Sequence, residues 1–301
     1  APFDLAVSAT TSLYVTGDAA IDFDGLLSVS GNFELEQFDL VDTTPLGAGA
    51  TGLALQLSVN GDASAGVSGS GTLKLLRLTN AAGQSWLGIE ATDLNFALDF
   101  EPLTLEVTNG SLQLNQAPVG AARLDWTSTA IANAYPELTL SIDATTSLHV
   151  EGDATINFDG LLSVSGNFTL DQFDLNDSLL GAGATGLALQ LTVSGEVDGG
   201  VSGSGTLKLL RLTNASGQSW LGVEATDLNF ALDFAPVTLE VTNGSLQLNQ
   251  APEGESKLDW TSTAITDANA PFTLNVGSDV SLHVEGDAAI DFDGLLSVSG
   301  N

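Results

Sequence analysis

Apolar and polar residues alternate along most of the chain. Leu53, Leu55 and Leu57 all lie on odd numbers, and so do Leu73 and Leu75. Alternation with a period of two is typical of β-strands that bury one face. We therefore expect these odd-numbered side chains to point into a core. Apolar residues at helical spacing are absent over any useful length, so the pattern predicts an all-β protein.

Glycine followed by Asp or Asn interrupts the alternation and predicts hairpin turns. A three-residue loop within 15–19, 29–33 or 59–63 brings apolar residues opposite each other, and so does a two-residue loop at Asn109-Gly110. Asp24-Gly25 fails the same test, because it would place an apolar side chain opposite a serine. We expect a bulge or a corner there. These turns predict an antiparallel meander of short strands, about a dozen in each repeat.

Long stretches of the chain occur more than once. Residues 12–40 are nearly repeated at 147–175 and begin again at residue 281, and Trp126 and Trp260 lie 134 positions apart. Because the chain contains no methionine, we expect it to be a piece of a longer array. Tandem repetition of this kind predicts stacked structural units. The predicted units are 1–135, 136–270 and a truncated third unit at 271–301.

The meander can fold in more than one way. Each unit can close into a β-sandwich or a barrel-like domain that stacks on the next, or the units can continue as one solenoid-like β-rod. Period-two patterning does not separate these alternatives. The segment 124–130, which recurs at 258–264, predicts a strand packed near the junction between units. The joints are short, which favours a stiff array over a flexible string.

The charge of the chain excludes several classes of partner. Six basic residues stand against 38 acidic ones, which gives a net charge of −32. Such a chain repels nucleic acid and anionic membrane surfaces, and it attracts cations. No apolar run approaches the roughly 18 residues of a spanning helix, so we expect no membrane insertion. The absence of cysteine excludes disulfides and thiolate metal sites.

No arrangement of residues predicts an enzyme. The only two histidines, His149 and His283, correspond to Tyr14 in the first unit, and we expect these positions on the outside of the sheet. Serine catalysis needs a positioned base beside the nucleophile, and these histidines are not kept in every unit. A glycosidase-like carboxylate pair at Asp22 and Asp24 is lost in the second unit, where Asn157 replaces Asp22.

The best chemical candidate is a calcium site in each unit. Calcium prefers oxygen ligands, and Asn in place of Asp keeps an oxygen. The alternative is that the acidic residues only keep the protein soluble and protect exposed sheet edges. A second acidic row contains Asp93, Asn95 and Asp99, with Asp227, Asn229 and Asp233 in the second unit. The candidate ligands share one outer face and are Asp18, Asp22 and Asp24, then Asp153, Asn157 and Asp159, then Asp287, Asp291 and Asp293.

Tryptophan and a basic pair are kept in both units. We interpret the tryptophans as anchors of the core or of the junction, with a sugar-stacking platform as the alternative. We expect Arg77, which is in phase with Leu73 and Leu75, to meet a carboxylate at a sheet edge. The recurring residues are Trp86 and Trp220, Trp126 and Trp260, Lys74 and Lys208, and Arg77 and Arg211.

The chain resembles the tandem repeats of very large bacterial surface proteins, including adhesins of the RTX type, at 23–33 (FDGLLSVSGNF) and 73–80 (LKLLRLTN). The resemblance implies an exported protein, often calcium-binding, whose repeats hold a terminal binding module away from the cell. The Gly-Gly-x-Gly-x-Asp nonapeptide of the RTX pattern is missing here. Alternating Leu and Gly is also similar to the sheet-forming repeats of lipid-transfer grooves, which the dense acidic residues fit less well.

These observations predict a structural protein that is extracellular or on the bacterial cell surface. We expect stacked β units to form a stiff fibre or an adhesin stalk, stiffened by calcium, with other copies of the same repeat as partners. The alternative is a multivalent array that binds surface glycans or other surface groups weakly at each unit. An enzyme, a nucleic-acid-binding protein and a membrane-inserted protein are not expected.

Overall fold

The protein is all-β, as its sequence predicts. The computed structural model describes residues 10–22, 28–40, 45–62, 67–100, 103–158, 162–176, 179–197, 201–234, 237–292 and 296–300. Fourteen antiparallel strands form one open sheet, and each strand pairs with the strands before and after it in the chain. Neither of the two short helices is long and apolar enough to cross a membrane among the residues described.

The strands are longer and fewer than the glycine pattern predicts. Most of them contain 12 to 16 residues, so the prediction of about a dozen short strands in each repeat is wrong. The first elements are β1 Thr11–Asp22, β2 Ser28–Asp39, β3 Thr51–Asp62, β4 Val67–Thr79, β5 Ser85–Phe100, β6 Leu103–Gln116 and α1 Thr129–Ala134. They are followed by β7 Thr146–Phe158, β8 Leu162–Asp174, β9 Thr185–Val197, β10 Val201–Thr213, β11 Ser219–Phe234, β12 Val237–Gln250, α2 Thr263–Asp267, β13 Leu282–Phe292 and β14 Leu296–Gly300.

The central glycines of the three predicted turns, Gly17, Gly31 and Gly61, lie inside strands. Gly17 pairs with Phe33 in the middle of β1 and β2, and Gly31 pairs with Val59 of β3. At Gly31 the reason is close backbone approach, because an added Cβ atom would lie 2.0 Å from the Ser58 carbonyl oxygen. The connection between β1 and β2 instead falls between Asp22 and Ser28, which are paired. Asp24-Gly25, where we predict a bulge or a corner and not a hairpin turn, falls within this connection. These two residues are outside the described set, so that prediction stays a prediction.

The predicted turn at Asn109-Gly110 is a β-bulge. Both Asn109 and its neighbour across the strand pair, Asp93, have positive φ angles of 53° and 54°. The side chain of Asn95 connects them, since its Oδ1 accepts from the Asn109 backbone N–H at 3.1 Å and its Nδ2 donates to the Asp93 carbonyl at 2.8 Å. A bulge inserts one extra residue and reverses which face the following side chains occupy. Strands β5 and β6 therefore continue through the predicted turn.

The chain divides into two compact units, Ala1–Ala97 with Asn109–His149, and Leu98–Thr108 with Val150–Asn301. In unit 1 most buried side chains of the sheet are even-numbered, including Ala54, Leu76 and Leu78, and Ala91 and Asn115 are the odd-numbered exceptions among the residues described. Odd-numbered Leu53 and Leu55 are only partly buried, so the prediction that they line the core is wrong. The reason is that the segment 117–145, which we call the covering segment of unit 1, packs on the even-numbered face.

Trp126 is the centre of this core. It is 1% exposed, and its indole N–H donates to Oδ1 of the buried Asn115 at 2.9 Å. Asn115 in turn donates to the carbonyls of Leu124 and Asp143. The predicted strand at 124–130 is wrong, because Trp126 lies in a turn that leads into α1. The ring of Tyr135, just after α1, stacks on Phe38 with 4.1 Å between centroids.

Unit 2 builds its own core in the same way. Trp260 is fully buried and donates to Asn249 Oδ1 at 2.9 Å, and Asn249 donates to the carbonyls of Leu258 and Gly277. Trp86 and Trp220 are also buried. The interpretation of the tryptophans as core anchors is confirmed, and a sugar-stacking platform built from them is wrong. The covering segment of unit 2 includes Leu258, Ile265, Leu274 and Val276.

Candidate functional surfaces

The two faces of the sheet differ in chemistry. In unit 2, strands β8 to β13 place two complete rows of apolar residues on one face, and two further rows of small and apolar residues continue them. We call this surface the apolar face. Its complete rows are Leu170, Leu189, Leu209, Val223, Leu248 and Leu282, and Phe168, Leu191, Leu207, Ala225, Leu246 and Val284. The continuing rows contain Gly166, Val193, Gly205, Leu228 and Gly244, and Gly195, Gly203, Phe230, Val241 and Ala288.

The apolar face lies opposite the covering segment. The buried cluster that this segment forms in unit 2 contains none of the residues of the two complete rows. At the end of these rows Leu282 and Val284 are 63% and 64% exposed, and Leu228 and Phe230 are also exposed. Unit 1 repeats the pattern, with Val15, Leu35, Leu55 and Leu75 paired across β1 to β4. Large exposed apolar surfaces on a soluble protein mark places of contact.

The bulges keep the apolar face continuous. Register shifts on either side of Leu228, opposite β12, move even-numbered residues of β11 onto the face that odd-numbered residues occupy before the bulge. Leu228 and Phe230 thereby join Leu207 and Leu246 along a groove of about 520 Å³. The Leu228 side chain lies directly on Gly205, where an added Cβ atom would be 2.6 Å from it.

The opposite face is polar beyond the end of the covering segment. Ser165, Ser194 and Ser204 lie there with Asn229 and Thr242, around an open groove. The hydroxyls of Ser165 and Ser194 are 3.3 Å apart, and Asn229 Nδ2 lies 3.4 Å from Ser204 Oγ. These groups can form hydrogen bonds with water or a polar ligand, and no histidine is among the described residues that line the groove.

The predicted calcium ligands are only partly described. Asp18, Asp153 and Asp287 are exposed on their strands. The side chains of Asp22 and Asn157 lie outside the described set, as do Asp24, Asp159 and Asp293 altogether. Among described residues, no group of three or more His, Cys, Asp or Glu side chains is arranged to hold a metal ion. The calcium sites therefore stay a prediction.

The backbone separates the predicted ligands more than a turn would. Because β1 is continuous from Thr11 to Asp22, the Cα atoms of Asp18 and Asp22 are about 13 Å apart at the usual rise of a strand. Asp287 accepts a hydrogen bond from Asn243 Nδ2 at 3.0 Å. In the second acidic row, Asn95 and Asn229 use their amide groups to hold the bulges. The side chains of Asp99 and Asp233 are outside the described set.

Two buried carboxylates were missed by sequence reasoning. Glu90 and Glu224 are 5% and 9% exposed on the face that the covering segments occupy. Glu90 accepts from the Ser141 backbone N–H at 2.5 Å and lies 3.4 Å from Lys74 Nζ, and Glu224 accepts from the Asn275 N–H at 3.1 Å. Their contacts fasten the covering segments to the sheet. Glu90 lies four residues after Trp86 on β5, and Glu224 lies four residues after Trp220 on β11. Each glutamate therefore points to the same face as a tryptophan expected in the core, and this spacing is the sequence signal that could have predicted its burial.

The other basic and aromatic predictions have mixed outcomes. The sequence predicts that Arg77 contacts a carboxylate, but it donates to the Ser85 hydroxyl at 3.1 Å. The basic residue that contacts a carboxylate is Lys74, whose Nζ lies 3.4 Å from Glu90. His283 is exposed and lies 3.2 Å from Glu285, as expected for a surface histidine, and His149 is half-buried. Lys208 lies 5.8 Å from the centre of the Phe272 ring, a cation–π distance.

Two titrating groups within the covering segment of unit 1 have shifted pKa values. Burial and the hydrogen bond to Glu36, 2.7 Å long, raise the pKa of Tyr135. Burial opposes ionisation of Asp143, but four hydrogen bonds from Thr145 and Thr146 lower the pKa of its carboxyl group. Both groups stabilise the fold at neutral pH, and neither is among the residues that line the two grooves described above.

Comparison with protein-family models, curated proteins and solved structures returned no match to this chain.

Proposed function

We propose that this chain is part of an extracellular structural protein of the bacterial cell surface, in which β repeats extend one sheet to form a stiff fibre or an adhesin stalk. The observation that supports this most is the strand order. Strands β1 to β14 pair in sequence, so each repeat adds its strands beside those of the repeat before it. Repeat proteins in which neighbours pair only with neighbours grow along one dimension.

The outermost strands offer a route to growth between chains. Strands β1 and β14 lie at the two ends of the strand order, and an edge strand carries unpaired backbone groups that can pair with another chain. Tyr14 and Thr16 on β1 are exposed. In purified copies of this chain, pairing of β1 of one copy with β14 of the next would continue the meander in the way that a neighbouring repeat of a longer array would.

The cores of the units supply stiffness to such an array. Each unit fastens its covering segment to the sheet through a buried tryptophan, a buried asparagine and a buried glutamate, at Trp126, Asn115 and Glu90 in unit 1. A single layer of sheet is flexible where nothing packs on it, and a covered layer resists bending. The net charge of −32 keeps such a surface solvated, and calcium bound to the exposed acidic residues would reduce its self-repulsion.

The binding array is the weaker alternative. It needs an exposed aromatic platform for sugars, and all four tryptophans are buried in the cores. The polar groove around Ser194 and Ser204 is lined by hydroxyls, and no tryptophan is among the described residues that line it. A glycan array probed with the chain is expected to stay blank.

Electron microscopy of the purified chain, with calcium and then with chelator, tests the proposal. We expect long, uniform filaments. Thr16→Pro removes a backbone N–H from the edge strand β1 and is expected to shorten the filaments, whereas Thr16→Val, which favours a strand, leaves them long. Loss of filaments in chelator would identify the acidic residues as metal sites. Separate compact particles in both conditions would contradict the fibre.

A further inference from the structure

The apolar face of unit 2 has no layer packed on it among the described residues, and it is built to receive one. We propose that it pairs face to face with the apolar face of a second copy of the chain, so that two sheets form a sandwich. This contact is lateral and involves no edge strand. It therefore goes beyond the proposed growth of a fibre through β1 and β14.

The area that two apolar faces would bury against each other is in the range of stable protein–protein interfaces. Six strands at a spacing of about 4.8 Å span about 29 Å, and four rows at two residues each span about 26 Å along the strands. Each copy therefore contributes about 750 Å², and the pair buries about 1,500 Å². Specific interfaces between proteins bury 1,200–2,000 Å² in total. Paired sheets lie about 10 Å apart with their side chains interdigitated.

The shape of the face suits contact with itself. Strands β9 and β10 carry the glycines Gly195 and Gly203, whereas β11 and β12 carry the larger Phe230 and Val241 at the same level. A two-fold axis parallel to the strands, between β10 and β11, superposes the glycines of one copy on the larger side chains of the other. In such an isologous contact every complementary pair occurs twice.

The distribution of charge favours a second copy over a lipid surface. The two complete rows of the apolar face contain no charged residue, while Glu224, Glu240 and Asp287 of the same strands project from the opposite face by the register. A chain with a net charge of −32 is repelled by anionic membranes. Between two copies the carboxylates lie on the outside, farther apart than the screening length of about 8 Å at physiological ionic strength. The pair is therefore expected to tighten as salt is added.

Sedimentation velocity of the full chain with Thr16→Pro, which suppresses growth through β1, tests the pairing at several concentrations and salt levels. We expect a species of twice the chain mass of 30.7 kDa. Leu189→Asp, at the centre of the face, is expected to raise the dimer dissociation constant at least about tenfold, because an unpaired charge is then buried twice. The matched control is Gln190→Asp, which adds the same charge to the same strand on the opposite face.

A second pair of variants separates loss of pairing from loss of folding. Leu282 is 63% exposed in the single chain, so Leu282→Asp should leave the circular dichroism unchanged and still weaken the dimer, while His283→Asp, its neighbour on the opposite face, should not. A monomer at every concentration, or a dimer that neither apolar-face variant weakens, overturns the proposal. A monomer that carries lipid, detected by native mass spectrometry, overturns it in favour of a lipid. Loss of filaments in Thr16→Pro with the dimer intact separates this contact from the proposed fibre.

Discussion

Asn115 and Asn249 show how single polar residues hold each covering segment. Each amide is nearly inaccessible to water and satisfies a tryptophan N–H and two backbone carbonyls that would otherwise be buried without partners. Leaving one such group unpaired costs about 1–3 kcal/mol. The asparagine therefore fixes the position of the tryptophan and of the chain on both sides of it.

Asp143 gives a test at the scale of one residue. Its four hydrogen bonds lower the pKa of the carboxyl in the folded protein, so its stabilising effect is fully present above the unfolded pKa of about 4 and is lost as pH falls through the lower folded value. We expect Asp143→Asn to reduce the free energy of unfolding of unit 1 at pH 7 and to reduce it less at pH 2. Urea unfolding followed by tryptophan fluorescence measures this difference.

The chain contains the control for this prediction. Gly277 occupies the place of Asp143 in unit 2, where its carbonyl accepts the same bond from Asn249 without a side chain. Unfolding of unit 2 should therefore be unaffected by Asp143→Asn at any pH. A variant whose stability differs from the parent equally at pH 2 and pH 7 would show that the carboxylate contributes nothing as a charged group.

At the scale of the strand, two glycines that share one sequence pattern have different surroundings. An added Cβ atom on Gly31 would meet the Ser58 carbonyl oxygen at 2.0 Å, whereas on Gly17 it would meet only the Phe33 ring at 3.7 Å. We expect Gly31→Ala to disrupt the β2–β3 pairing and destabilise unit 1 by about 1–3 kcal/mol, and Gly17→Ala to be tolerated. Thermal unfolding by circular dichroism compares them. If both substitutions were tolerated equally, the close approach of β3 to Gly31 would be contradicted, and a turn at Gly31 would again be the better interpretation.

The sequence predicts the strands but not their ends. Alternating residues such as Leu53 and Leu55 indicate strands correctly, because side chains in a strand alternate between faces whatever packs on them. A glycine followed by Asp or Asn is common in turns, in bulges and at places of close backbone approach. Gly17, Gly31 and Gly110 therefore gave a turn signal that only the pairing of neighbouring strands resolves.

The sequence also predicts the wrong core face for a physical reason. The odd-numbered face has more large apolar residues, and the even-numbered face has Gly52, Ala54 and Glu90 beneath the covering segment. Small residues are needed on the even-numbered face because Phe38 and the covering segment occupy the volume above them. At Gly52, for example, an added Cβ atom would lie 2.2 Å from the Phe38 ring. Apolar alternation identifies two faces, but it does not reveal which face the rest of the chain covers.

At the scale of the whole molecule, charge and apolar surface are separated by the sheet. In unit 2 the carboxylates of Glu224, Glu240 and Asp287 lie on the face opposite the two complete apolar rows. The fibre and the lateral pair use different surfaces and can be tested separately.

The length of an array tests the central claim most directly. Small-angle X-ray scattering would compare the chain with chains that carry one, two and three further copies of residues 136–270, each with Thr16→Pro to suppress growth through β1. Since one repeat adds six strands, we expect the maximal dimension to increase by about 29 Å for each copy. Nearly constant maximal dimensions, or growth that slows as copies are added, would show that the repeats fold back on one another and would contradict the extended sheet.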